Sequence, residues 1–268
     1  MFRETHIRIV VVAVFSLFHS VSYAQGDRPI QHLTDEWENC SMILDPSLTQ
    51  DAWHTFTQEA GIVFYFHPLT SAKPLGPGKF TFAIVTGFTG IDDNDPAWND
   101  TFVHIDSAHY LVPENGILGF PSLSATYGFN EKIDIGAYYT MNPGTNYSAI
   151  GGSVKYSIMN DPVEKFSAAV RASSVFVLLK GESEFNLSVH GIDLLLSRDL
   201  NTITPYGGVS AYLSRNHETT GKVDLDDENV IGFQAKVGVT IPISFLRLSA
   251  ELNFAAVTTA SIMIGFGF

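Results

Sequence analysis

Ser188 and His190 stand two residues apart, so in an extended strand they share a face. A serine beside an imidazole base is the minimum of a nucleophilic pair, and in a membrane its natural substrate is a lipid ester. A lipid hydrolase needs that pair near the outer rim and facing lipid. The alternation around Ser188 assigns it to an inner face, where lining a polar lumen is the commoner use. His104 and Asp106 form a second same-face pair, but two ligands without a third make a weak metal site. Asp92, Asp93, Asn94 and Asp95 form one acidic cluster, and Asp224, Asp226, Asp227 and Glu228 another. Carboxylate oxygens of this kind suit Ca²⁺ or Mg²⁺. The first cluster lacks the central glycine and closing glutamate of a calcium loop, so solvated loop charge is the better account. No phosphate loop, dinucleotide fingerprint or zinc spacing is present. Cys40 is the single cysteine and has no intramolecular disulfide partner. The residues therefore predict no enzyme, no cofactor and no metal site.

The elements that would position these groups are strands. In the last ten residues Ala260, Ile262, Ile264, Phe266 and Phe268 share one face, and Thr259, Ser261, Met263, Gly265 and Gly267 the other. An alternating last strand that ends on phenylalanine resembles the assembly signal of bacterial outer-membrane barrels, with Phe266 and Phe268 as its key residues. That resemblance implies the barrel-assembly machinery as a partner, and outer-membrane lipid and lipopolysaccharide as surroundings.

The same period runs back to residue 60. It predicts an all-β, transmembrane, antiparallel up-and-down barrel of about twelve strands, each of the roughly nine to eleven residues that a tilted strand needs to cross a membrane. The first three strands fall near 60–68, 78–89 and 101–111. Short turns at Asn130, Asp161-Pro162, Asp199-Leu200-Asn201 and Pro242-Ile243-Ser244 alternate with longer connections such as 215–229. That is the layout of outer-membrane barrels, and the connection 90–100 is too long to fit it. In the strand near 185–198 the apolar set begins on Phe185, Leu187 and Val189 and continues on Ile192, Leu194 and Leu196, which predicts a bulge at Gly191. Phe129, Phe166, Phe245, Phe266 and Phe268 predict an aromatic girdle at one rim, and Tyr139, Phe176, Phe185, Tyr212, Phe233 and Phe254 one at the other.

Residues 1–24 read as a signal peptide, with Arg3 and Arg8 before the apolar run from Ile9 to Phe18 and Ser22-Tyr23-Ala24 as cleavage site. Residues 25–59 read as a periplasmic segment holding a short amphipathic helix. Asp45 and Pro46 would start it, Leu48, Ala52, Trp53 and Phe56 would share a face, and Gly61 would stop it. Residues 60–268 are the predicted barrel. The net charge of −13 argues against nucleic acid as a partner.

The predicted lumen carries Lys132, Lys155, Arg171, Lys236 and Arg247 against Asp106, Asp134 and Glu251, with His190 beside them. An open lumen of this kind would favour anions, because low-dielectric walls leave its fixed charges poorly screened. Two functions follow: a narrow porin-like channel for small solutes, or a structural or interaction barrel with a filled lumen. Side chains and the helix could close a barrel of this size.

Several segments together resemble a family of uncharacterised proteobacterial outer-membrane β-barrel proteins. They include Leu123-Ser124-Ala125-Thr126-Tyr127-Gly128-Phe129, Ile133-Asp134-Ile135-Gly136, Asn142-Pro143-Gly144-Thr145-Asn146 and Thr204-Pro205-Tyr206-Gly207-Gly208-Val209. The resemblance implies a barrel, a signal peptide and the bacterial outer membrane. It implies no catalytic residue and no ligand.

Overall fold

The computed structural model describes residues 41–92, 94–103, 108–109, 112–113, 117–141, 145–181 and 183–267. The leader 1–24, Cys40, Asp93, His104, Asp106 and Phe268 lie outside the described residues.

Ten strands close an antiparallel barrel. They are β1 (Phe80–Gly90), β2 (Ile117–Gly128), β3 (Ile133–Met141), β4 (Tyr147–Asp161), β5 (Phe166–Leu179), β6 (Phe185–Arg198), β7 (Thr204–Glu218), β8 (Glu228–Ile243), β9 (Leu246–Phe254) and β10 (Thr258–Gly267). Each pairs with its neighbours in sequence, and β10 closes on β1 with Phe266 opposite Phe82 and Ile264 opposite Ile84. Closure leaves no open edge. A β-bulge interrupts β4 between Ser157 and Met159.

The count is ten rather than twelve, and the two missing strands are the first and third predicted. Residues 60–63 complete the helix α1 (Gln50–Val63). Beyond it, Phe64, Tyr65 and Phe66 are all almost fully buried. The alternation of Ile62, Phe64 and Phe66 therefore reflects burial on every side, not one apolar face of a sheet. Near 101–111, among the described residues, Phe102–Val103 pairs only with Ser41–Met42, and Ala108–His109 only with Val112–Pro113; neither pair joins the barrel. This removes the misfit at 90–100. The connection 91–116 belongs to the end that also holds 142–146, 180–184, 219–227 and 255–257, and the short turns 129–132, 162–165, 199–203 and 244–245 form the other end.

Outside, the wall is apolar. Leu123, Ile192, Ile231 and Phe233 are exposed at 60%, 60%, 69% and 73%. Inside it is polar, with Asp134, Lys155, Arg171, Asp193, Lys236, Glu251 and Asn253 all buried. A soluble barrel has the reverse arrangement.

β6 runs without a bulge, in unbroken register with both neighbours from Ser188 to Ser197. Phe185, Leu187 and Val189 point inward and are 1–2% exposed, while Ile192, Leu194 and Leu196 point outward. The predicted slip at Gly191 came from taking every apolar face as lipid-facing. Phe185 and Tyr212, assigned to a rim girdle, are instead interior at 1% and 3% exposed.

Helix α1 begins later than the predicted Asp45. Thr49 is its N-cap, its hydroxyl accepting from the Ala52 amide at 3.4 Å, while Asp45 holds the preceding turn through the Ser47 amide at 2.8 Å. The helix packs against the barrel, as a helix that could close the lumen would. It lies within the loop end, against β6, β7 and β8. Residues 64–79 then pass through the lumen to the turn end, where β1 starts.

Candidate functional site

The site is the filled lumen. Its upper half is apolar. Trp53 and Phe56 of α1 stack at 5.8 Å, and both meet the edge of Phe185 on β6, at 5.5 and 5.7 Å. Trp98 of the short helix α2 (Pro96–Asn99) packs on Phe56 at 5.2 Å. Aromatic pairs in these edge-on geometries add about 0.5–1.5 kcal/mol each beyond their buried area. Polar contacts pin the helix to the wall. Asn216 donates to Thr57 Oγ1 at 3.1 Å, and Tyr212 to the Gln58 carbonyl at 3.3 Å. Asn146 exchanges two hydrogen bonds with the Met42 backbone at 2.9 and 2.8 Å. Glu59 accepts from the Trp98 indole, and burial raises its carboxyl above the usual range, helped by Asp95 and Asp92.

Midway down, the plug lies over charged wall residues. Tyr65 sits above the Lys236 ammonium at 5.0 Å, and Phe66 above the Arg171 guanidinium at 5.9 Å. Beneath them Asp193 accepts from Lys236 at 2.7 Å on one oxygen and from Arg171 at 2.7 Å on the other, and Ser210 adds a third bond. His67 of the plug faces Glu251, with Nδ1 and Oε1 3.7 Å apart.

Lower still, Lys155 is a clamp. Its ammonium donates to the carbonyls of Ser71 and Lys73 at 3.0 and 2.9 Å and pairs with Asp134 at 3.0 Å. Asp134 in turn accepts from the Leu75 amide at 3.1 Å. A segment without a ladder of its own thus has its backbone groups satisfied by wall side chains, as burial requires. At the turn end Lys73 pairs with Asp199 at 2.8 Å and holds that carboxyl below the usual range.

Of the residues predicted to line the lumen, Asp134, Lys155, Arg171, Lys236 and Glu251 do so, and Arg247 is half-buried at the turn end. Lys132 does not; it is exposed in the turn after β2. His190 does not either. It points outward with Ser188, because β6 keeps its phase, and its Nδ1 lies 2.9 Å from Ser174 Oγ on β5. Asp106 lies outside the described residues. Asp193 was missed, and following the odd positions from Phe185 without a bulge would have found it. Among the described residues no group of three or more His, Cys, Asp or Glu is placed to hold a metal ion.

Fold and site together define a ten-stranded antiparallel barrel, apolar outside and charged inside, filled by its own N-terminal segment. The chain belongs to a family of unknown function (DUF6588), whose model matches residues 111–268. No curated protein matches it. Its fold is similar to that of the COG4313 outer membrane channel from Pseudomonas putida F1, at 11% identity and a TM-score of 0.45, over 76% of this chain and 100% of that one. It is also similar to the β domain of the Bordetella autotransporter BrkA, at 9% identity and 0.41, over 72% and 100%. For the KdgM porin the figures are 7%, 0.35, 70% and 99%.

Proposed function

We propose that this chain is a bacterial outer-membrane β-barrel held shut by its own N-terminal segment, serving as a structural or interaction barrel rather than an open channel. The apolar outer wall supports the membrane reading. Leu123, Ile192, Ile231 and Phe233 would otherwise stand in water, and a closed barrel is the sheet form that leaves no backbone group unpaired in lipid. In this reading outer-membrane lipid and lipopolysaccharide surround the belt, and the barrel-assembly machinery inserts it.

The observation that carries the closed reading is the fixed path of residues 64–79 along the lumen, between Tyr65 over Lys236 and the Lys155 clamp. The predicted anion preference also loses its basis. Lys155 is paired with Asp134, Arg171 and Lys236 share Asp193, and Glu251 is a third buried carboxylate, so three anions stand against these three cations in the lumen. The test is conductance of the purified chain in a planar bilayer. The intact chain should give no steady conductance, and a variant lacking residues 41–79 should open. Steady ohmic conductance by the intact chain would return the porin-like reading for small solutes.

A further inference from the structure

The turn end of the barrel contains a cavity of about 260 Å³ between the plug and the wall, lined from strands β1 to β4 and β7 to β10. Its walls hold four cations, Lys73, Lys79, Lys155 and Arg247, and two anions, Asp134 and Asp199. Two of the cations are already neutralised, Lys155 by Asp134 at 3.0 Å and Lys73 by Asp199 at 2.8 Å. Arg247 and Lys79 remain without an ion-pair partner among the described residues. The cavity therefore carries a local excess of positive charge, although the whole chain is at −13.

A second, independent feature lies beside Arg247. Thr81 is only 7% exposed, and its hydroxyl has no hydrogen-bond partner among the described residues. Arg247 and Thr81 converge on the backbone at Gly267. A Cβ built on Gly267 would stand 3.4 Å from both the Arg247 Nε and the Thr81 Oγ1. Both side chains therefore stand beside one backbone position, and both contribute to the cavity lining. A buried donor left unsatisfied is unfavourable, and an oxyanion held by Arg247 would remove that cost once the Thr81 side chain turns its hydroxyl toward the cavity.

We propose that this cavity binds a small carboxylate- or phosphate-bearing anion, with Arg247 as the principal ligand and Thr81 donating a hydrogen bond. Arginine forms paired bonds with either oxyanion. The volume lies just below the roughly 300–1,000 Å³ of common small-molecule sites, which suits a compact anion. Asp199, Asn201 and Pro242 line the cavity from the turn end.

The test is calorimetric titration of the full chain, folded in detergent micelles, with citrate and separately with inorganic phosphate. The chain should bind at least one of them, more weakly as salt rises. Arg247→Gln should weaken binding about tenfold or more, equivalent to about 1.4 kcal/mol, and Arg247→Lys by less. Thr81→Val should weaken it severalfold with the barrel intact by its heat-modifiable gel mobility. No binding of either anion up to about 10 mM overturns the proposal, since a built site should exceed that affinity. Equal affinity in wild type and Arg247→Gln also overturns it, by placing the anion elsewhere. Should Arg247→Gln fail to fold, Thr81→Val decides, and an unchanged affinity there counts against the site.

Discussion

Asp193 on β6 and Lys236 on β8 are not on adjacent strands, yet their charged groups meet 2.7 Å apart across β7, and neither side chain is exposed. Arg171 completes the group from the other side at 2.7 Å. Three consecutive strand pairings are thus tied by one carboxylate, directly beneath the Tyr65 and Phe66 rings of the plug. A buried charge cluster of this kind depends on every member, because a partner left behind keeps its desolvation penalty.

Asp193→Ala should therefore be costly. It strands two buried cations, and removing one partner of such a pair costs about 3–5 kcal/mol. The expected result is a lower urea midpoint for the folded barrel in detergent or lipid. A midpoint equal to the wild type would mean that Lys236 and Arg171 find water or other acceptors.

Gly191 faces the plug, and a Cβ there would overlap the Tyr65 ring. Gly191→Val should destabilise by about 1–3 kcal/mol through overpacking. It should do so by displacing the plug, so hydrogen exchange in 64–70 should quicken more than exchange in the wall strands. Combining it with Tyr65→Ala should recover part of the loss, as coupled neighbours are non-additive. Strictly additive losses would show that Gly191 acts through the wall alone.

Glu59 offers a pH test. Burial raises its carboxyl above 4.5, so the folded chain holds a proton that the unfolded chain has released. Its contribution to stability is present below pH 4.5 and is lost as pH rises through the raised value. Glu59→Gln keeps an acceptor for the Trp98 indole and removes the titration. The thermal midpoint of the variant should gain on that of the wild type as pH climbs through this window. A difference that stays constant with pH would contradict the assignment.

The local pattern carries far along this sequence. Period-two alternation, with turns at Asn130, Asp161-Pro162 and Asp199-Leu200-Asn201, gives nearly every barrel strand, because strand periodicity and turn chemistry act between near neighbours. The same alternation puts Lys155, Arg171, Lys236 and Glu251 opposite the apolar face, which settles most of the lumen before any contact is known.

What the pattern could not supply was the meaning of an apolar face. Alternation says which residues share a side; it does not say whether that side meets lipid or another part of the chain. Phe185, Leu187 and Val189 face inward because Trp53 and Phe56 wait there. That long-range contact fixes the phase of β6, sends Ser188 and His190 outward and brings Asp193 to Lys236. The same limit misread Ile62, Phe64 and Phe66 as a strand, since burial on all sides and burial on one face leave the same apolar spacing over five residues. The ten strands were decided largely by neighbours in sequence. The closed lumen was decided by packing between residues more than a hundred positions apart, such as Asn146 on Met42, which only the tertiary structure brings together.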